Sequence, residues 1–146
     1  MQEVIEITKE VRKGEIAETL LASMREGYET GELVELEDQL EHFHPKGLYG
    51  RKQTLAAGTV EVGKVHRRES LTLLLTGELV VVTEDGTRIR HVAPDIWITP
   101  VGTQRVICAV KDSEWIGVWP TEKTDLKEIE DELTCMSMAE FLAQEV

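Results

Sequence analysis

The chain is poor in the residues that would tie it to an oxidising compartment, a nucleic acid or a membrane. Two of its 146 residues are cysteine. Cys108 lies in an apolar, strand-like run and Cys135 in the tail, so they read as reduced thiols. A disulfide framework needs more, and two lone cysteines make no zinc signature. Basic residues are also scarce: 16 Lys and Arg against 28 Asp and Glu leave a net charge of -12. That excludes generic DNA or RNA binding, which sets Lys and Arg against phosphate, and docking on anionic lipid. No apolar run approaches the roughly 20 residues that cross a bilayer. The N-terminal stretch MQEVIEITKEVRKG lacks the apolar core of a signal peptide. The expectation is a cytoplasmic protein with neither a membrane nor a nucleic-acid partner. A nucleophile elbow, a P-loop, a dinucleotide fingerprint and a zinc-protease motif are all missing. Acid–base catalysis by a single histidine, His66, has no supporting neighbours in the sequence. The balance therefore leans away from an enzyme.

What the sequence does contain is the composition of one globular domain, with 41% hydrophobic and 30% charged residues. The length suits one core and not two. The N-terminal third reads as helix: Val4, Ile7 and Val11 are spaced three and four apart. In Glu15 to Arg25, Ile16, Leu20 and Met24 form one stripe, and Gly27 and Gly31 are candidate stops. Leu33 to Phe43 is apolar at 33, 34, 36, 40 and 43 among many acids, and reads as a weaker helix or an irregular arm. His42 and His44 close this region. Two residues apart on a strand they would share a face and could hold a metal. Pro45 follows directly, and the plainer reading is a pair of loop histidines.

From Leu48 the texture changes to short β-branched runs with turns every 8 to 12 residues or so, the pattern of an antiparallel sandwich or barrel. Strands are predicted near 48–55, 59–66, 71–76, 78–83, 87–92, 95–99, 104–110 and 114–119. Asp85-Gly86 is a hairpin signal, because both central turn positions want φ > 0. Leu74 among Leu71, Leu73 and Leu75 makes both faces of one strand apolar, so cover on both sides is expected. Trp115 and Trp119, four apart, face one side and read as core. Helix returns beyond 120. Thr124 can cap DLKEIEDEL with Asp125 in its first turn, and Ser137 with Glu140 has the form of a capping box. The expected organisation is an acidic helical extension over 1–46, a β domain over 47–120 and a helical tail over 121–146.

Two stretches resemble the motifs of a known family. Gly58, Lys64, His66, Ser70 and Gly77 keep the spacing of the first cupin motif, a Gly, two histidines two apart, a Glu and a closing Gly. Pro94, Pro100-Val101-Gly102, Arg105 and Ala109 stand at the spacing of the second, a Gly, a Pro-x-Gly, a His and an Asn. The resemblance covers residues 48–119. It implies an all-β, cupin-like (RmlC-like) jelly-roll barrel with helical extensions at both ends, paired as a homodimer or higher homo-oligomer. With WIGVWPTEKTDLKEIE after the barrel, the chain also resembles small cupin-like proteins encoded by tailed bacteriophages, which would put it in a host cytoplasm.

Cupins usually hold a divalent metal with three His and one Glu. At those positions stand Lys64, His66, Ser70 and Arg105, one competent ligand and two cations, a poor setting for a metal ion. No cofactor is expected; a metal would need His66 together with His42 or His44. The same substitutions suggest an anion pocket. Lys64 and His66 share a strand face, the cupin register adds Arg105, Ser70 brings a hydroxyl and Trp97 an apolar wall. Arg and Lys bind carboxylate and phosphate through charge-assisted hydrogen bonds. The plainer alternative makes Lys64 and Arg105 surface ion pairs with Glu61, Glu69 or Glu78, and His66 a buried histidine bonded to a carbonyl. Three functions are carried forward. One is a cupin-like binding protein for a small anionic ligand. Another is a metal-dependent enzyme built on His66 with His42 or His44. The last is an interaction protein whose acidic helices bind a host or virion protein.

Overall fold

A computed structural model describes residues 12–37 and 39–144. The helix expected around Val4, Ile7 and Val11 lies outside the described residues. The chain runs α1 (Glu15–Thr30), β1 (Gln39–Phe43), β2 (Leu48–Leu55), β3 (Val60–Val62), β4 (Val65–His66), β5 (Ser70–Thr76), β6 (Glu78–Val82), β7 (Arg88–Val92), β8 (Asp95–Thr99), β9 (Val106–Ala109), β10 (Ser113–Pro120), α2 (Leu126–Leu133), β11 (Thr134–Cys135) and α3 (Met138–Gln144). A five-stranded antiparallel sheet, β1-β2-β10-β5-β8, faces a four-stranded one, β3-β9-β6-β7. The jelly-roll barrel expected from the sequence is present, with helices at both ends. No helix among the described residues is long and apolar enough to cross a membrane.

Two glycines show why the strands turn and pack as they do. Gly77, between β5 and β6, has φ 92°, and a Cβ there would lie 2.2 Å from Ser113 Oγ. A side chain is therefore excluded on both conformational and steric grounds. The hairpin at Asp85-Gly86 closes with Thr83 N–H donating to Thr87 O at 2.9 Å, and only Gly86 takes positive φ (87°); Asp85, expected there too, instead accepts from Thr87 N–H at 3.0 Å through its side chain.

Strand alternation divides the residues between the lumen and the outside. On β2, Tyr49, Arg51, Gln53 and Leu55 point inward, while Lys52 pairs outside with Glu41 and Glu114. On β5 the inward set is Ser70, Thr72 and Leu74, and on β10 it is Ser113, Trp115, Gly117 and Trp119. One end of the lumen is packed solid by Leu74, Leu79, Val81, Ala109 and Trp115, with Leu55, Trp97 and Ile107 against them. The other end is polar.

Several expectations change. The stretch ending at Phe43, read as helix or arm, finishes in β1, an edge strand whose His42 pairs in register with Arg51. The acids that hid its alternation face solvent, so no apolar stripe marks it. The strand expected over 59–66 breaks at Gly63-Lys64 into β3 and β4. The helix α1 passes through buried Gly27, where Leu33 folds back over the missing side chain, and ends at Gly31 with φ 80°. Asp125, not Thr124, caps α2, accepting from Glu128 N–H at 3.1 Å. Ser137 Oγ does accept from Glu140 N–H at 3.1 Å. Among the described residues nothing covers the outer face of β5 and β8: Leu71 and Leu75 are each 40% exposed, Ile96 58% and Ile98 63%.

Candidate functional site

The polar end of the lumen is built around Trp119. Gly117 leaves the floor bare, and the indole leans over it: a Cβ at Gly117 would lie 2.6 Å from Trp119 Cη2. Tyr49, the register partner of Trp119 on β2, stacks on it at 5.7 Å between centroids, and the His66 ring stacks at 6.0 Å. The Arg51 guanidinium sits 5.4 Å from the same ring centroid, a cation–π contact. Continuing the β10–β5 register by one pair sets Ser70 beside Trp119. Thr72 and Thr99 share a hydroxyl–hydroxyl hydrogen bond of 2.8 Å one step further in. Gln53 Nε2 donates to Glu61 Oε1 at 2.5 Å and bridges the two sheets.

Four polar atoms around this spot are buried with no hydrogen-bond partner among the described residues: His66 Nδ1, Ser70 Oγ, Arg105 Nε and Trp119 Nε1. Buried polar atoms are nearly always satisfied, so a cluster of orphans marks a place built for something else. Two of the four, Arg105 Nε and Trp119 Nε1, can only donate, and the other two can donate. The set therefore calls for acceptors. The electrostatics agree. Burial, then Arg51, then Arg105 push the His66 pKa down to about 4, so its imidazole is neutral near pH 7. Neither Arg51 nor Arg105 makes an ion pair among the described residues. Two guanidiniums thus act on one neutral imidazole in a chain of net charge -12.

Of the site residues expected from the sequence, His66, Ser70 and Arg105 come together here. Lys64 does not join them. The strand break at Gly63, whose N–H donates to Arg105 O at 3.0 Å, spoils the alternation between Lys64 and His66. Lys64 Nζ turns outward to a salt bridge with Glu130 on α2. Trp97 packs against the apolar end and stacks on His91 at 3.7 Å. Arg51 was missed because β2 carries no motif; the alternation Tyr49, Arg51, Gln53 was the available signal. Trp119, expected in the core, is buried there with Tyr49, Ile129 and Leu133. His42 and His44 stack on Tyr49 at 5.9 and 5.5 Å. His42 Nδ1 and the Tyr49 hydroxyl share a 2.7 Å hydrogen bond. Burial, then Arg51, then His44 lower the His42 pKa.

No protein-family model matches the chain, and no curated protein is significantly similar to it in sequence. Solved structures match it in fold. KdgF from Halomonas sp. superposes with a TM-score of 0.51 at 21% identity, over 63% of this chain and 86% of its own. An RmlC-like cupin family protein with a double-stranded β-helix fold from Methanocaldococcus jannaschii gives 0.50 at 13% identity, over 59% and 82%. The EutQ protein of Clostridium difficile gives 0.50 at 11% identity, over 60% and 70%. The chain has a cupin-like fold. At such identities the likeness is one of fold alone, and the pocket must be read from its own residues.

A cupin commonly holds a divalent metal at the positions occupied here by Lys64, His66, Ser70 and Arg105. These residues do not fit that group. Arg105 is a permanent cation, Lys64 is engaged by Glu130, and Ser70 is a weak neutral donor beside a single imidazole. His42 and His44 do not complete the set: both stack on Tyr49, whereas His66 stacks on Trp119. No group of three or more His, Cys, Asp or Glu side chains able to hold a metal occurs among the described residues.

Proposed function

We propose that this cupin-like protein is a binding protein for a small oxyanion, a carboxylate or a phosphate, held at the polar end of the lumen. The observation that carries the reading is the cluster of orphaned buried atoms on His66, Ser70, Arg105 and Trp119. An oxyanion offers several lone pairs at once to donors that otherwise have none. Arg105 and Arg51 supply the charge, Trp119 Nε1 and Ser70 Oγ fix orientation, and neutral His66 donates or accepts. Charge-assisted bonds of this kind are about twice as strong as neutral ones. The packed apolar end limits the ligand to a small one. If the phage resemblance holds, the ligand is a metabolite or signal of the host cytoplasm.

A thermal-shift panel of phosphate, acetate, citrate and pyruvate tests the reading on wild type and on the Arg51→Met/Arg105→Met double variant. An anion at about 100 times its Kd stabilises by about 2.7 kcal/mol, which is about 5–10 °C in a chain of this size. The expected result is such a shift for at least one anion in wild type and none in the variant. No shift in either, or equal shifts in both, overturns it.

A second reading has one specific observation behind it. Beside acidic α1, Leu33, Val34 and Leu36 are 46%, 79% and 61% exposed, an apolar edge suited to a protein partner. A pull-down with and without residues 1–40 tests it: capture of one defined partner should need that segment, while the barrel stays folded in its absence.

A further inference from the structure

Beyond ligand binding, residues 121–144 form a strap across the polar end of the lumen. Ile129 and Leu133 of α2 pack on Tyr49 and Trp119 in one buried cluster. The strand β11 pairs with β4, Thr134 opposite His66 and Cys135 opposite Val65. Val65, Cys135, Met138 and Phe141 make the next cluster. Four polar links sit on the rim. Arg67 N–H donates to Leu133 O at 2.8 Å, and Arg67 Nη1 donates to Asp131 O at 3.2 Å. Lys64 is bridged to Glu130, and Arg67 Nη2 lies 3.9 Å from Glu140 Oε1. The same strap therefore packs on two rings, Tyr49 and Trp119, and its β11 runs in register beside a third, His66, whose own backbone groups bond Thr103 and Gly102.

The strap has fewer backbone pairings than the barrel strands, and two small buried clusters hold it. Among the described residues its only ladder is two residues long, against eight-residue pairings such as β2 with β10. Segments with short ladders and small clusters open locally, at free energies below that of global unfolding. The lumen beneath is packed solid at its far end. We propose that residues 121–144 are a cover that opens as a unit, and that Lys64, at a position where cupins place a metal ligand, acts here as its latch. Loops and lids that move in this way commonly control ligand exchange. The cover is a property of the strap; its role in exchange rests on the pocket reading above.

Cys135 reports the opening directly, because it is buried in β11 with its thiol donating to Ser137 O at 3.3 Å. In a Cys108→Ala background, labelling of Cys135 by a disulfide reagent is followed under native conditions as urea rises. The urea slope scales with the surface exposed. For a cover it is expected to be about a fifth of the global unfolding slope or less. Leu133→Ala should speed labelling about 30-fold or more, as expected for a buried leucine, with the slope unchanged. Lys64→Met, a milder variant, should speed it about twofold, since the latch is half exposed. Labelling that follows the global slope, or a Leu133→Ala rate equal to wild type, overturns the proposal. Added phosphate gives the separate readout. If it fails to slow labelling while Leu133→Ala still speeds it, the cover stands and the anion reading falls.

Discussion

His66 should make the protein acid-sensitive in a defined pH window. Its unfolded-state pKa is 6.5, and in the fold it is about 4 because the ring is buried near Arg51 and Arg105. The folded value is the lower one, so below pH 6.5 the unfolded chain binds the proton more readily. Stability is therefore lost as pH falls from 6.5 to about 4, and no further loss from this group occurs below that. The cost is about 2 kcal/mol at pH 5 and about 3 kcal/mol at pH 4. Urea unfolding followed by tryptophan fluorescence at pH 7.5 and pH 5 measures it in wild type and in His66→Gln, whose side chain does not titrate. Whatever the substitution costs at both pH values cancels in the comparison. Wild type should lose about 2 kcal/mol more than the variant between the two pH values. Parallel losses would refute the placement of a neutral, buried His66 between two guanidiniums. An anion in the pocket offsets those charges, so a ligand that binds should shrink the loss.

Two further perturbations follow from the geometry. Gly117→Ala puts a methyl 2.6 Å from the Trp119 ring. It should destabilise by about 1–3 kcal/mol as an overpacked site, shift the tryptophan emission and remove any anion-induced thermal shift; retention of a full shift would mean the indole does not wall the pocket. The outer face of Leu71, Leu73, Ile96 and Ile98 is apolar and paired in register, so we expect it to be buried against a second copy. Light scattering should return twice the 16.5 kDa chain mass for wild type and the single-chain mass for Ile98→Glu. A wild type that runs as a single chain at micromolar concentration removes this interface.

The fold was legible because its strongest signals are backbone demands. Gly77 and Gly86 take positive φ, 92° and 87°, where glycine serves best, and the strand runs between turns alternate. The strand β1 was not legible, because an edge strand with most of its side chains in water shows no stripe. The pocket was half legible. Motif spacing led to His66, Ser70 and Arg105, since the barrel keeps its register even where the ligands have changed. It misplaced Lys64, because alternation fails across the irregular turn at Gly63. Arg51 and the wall of Trp119 depend on which strands become neighbours, and that is set by sheet order rather than by any local pattern. The cap of α3 could be read from Ser137, while that of α2 lies one residue beyond the expected Thr124, at Asp125. The docking of α2 could not be read, because Ile129 and Leu133 meet Tyr49 across 80 and 84 positions of chain.

The most direct test of the pocket is anomalous diffraction from crystals grown with selenate, an oxyanion whose position is seen unambiguously. The expected result is a selenium peak within hydrogen-bonding reach, about 3 Å, of Arg105 Nε and Trp119 Nε1, absent from crystals of Arg51→Met/Arg105→Met. Peaks confined to the outer surface, with the lumen clear, would contradict it.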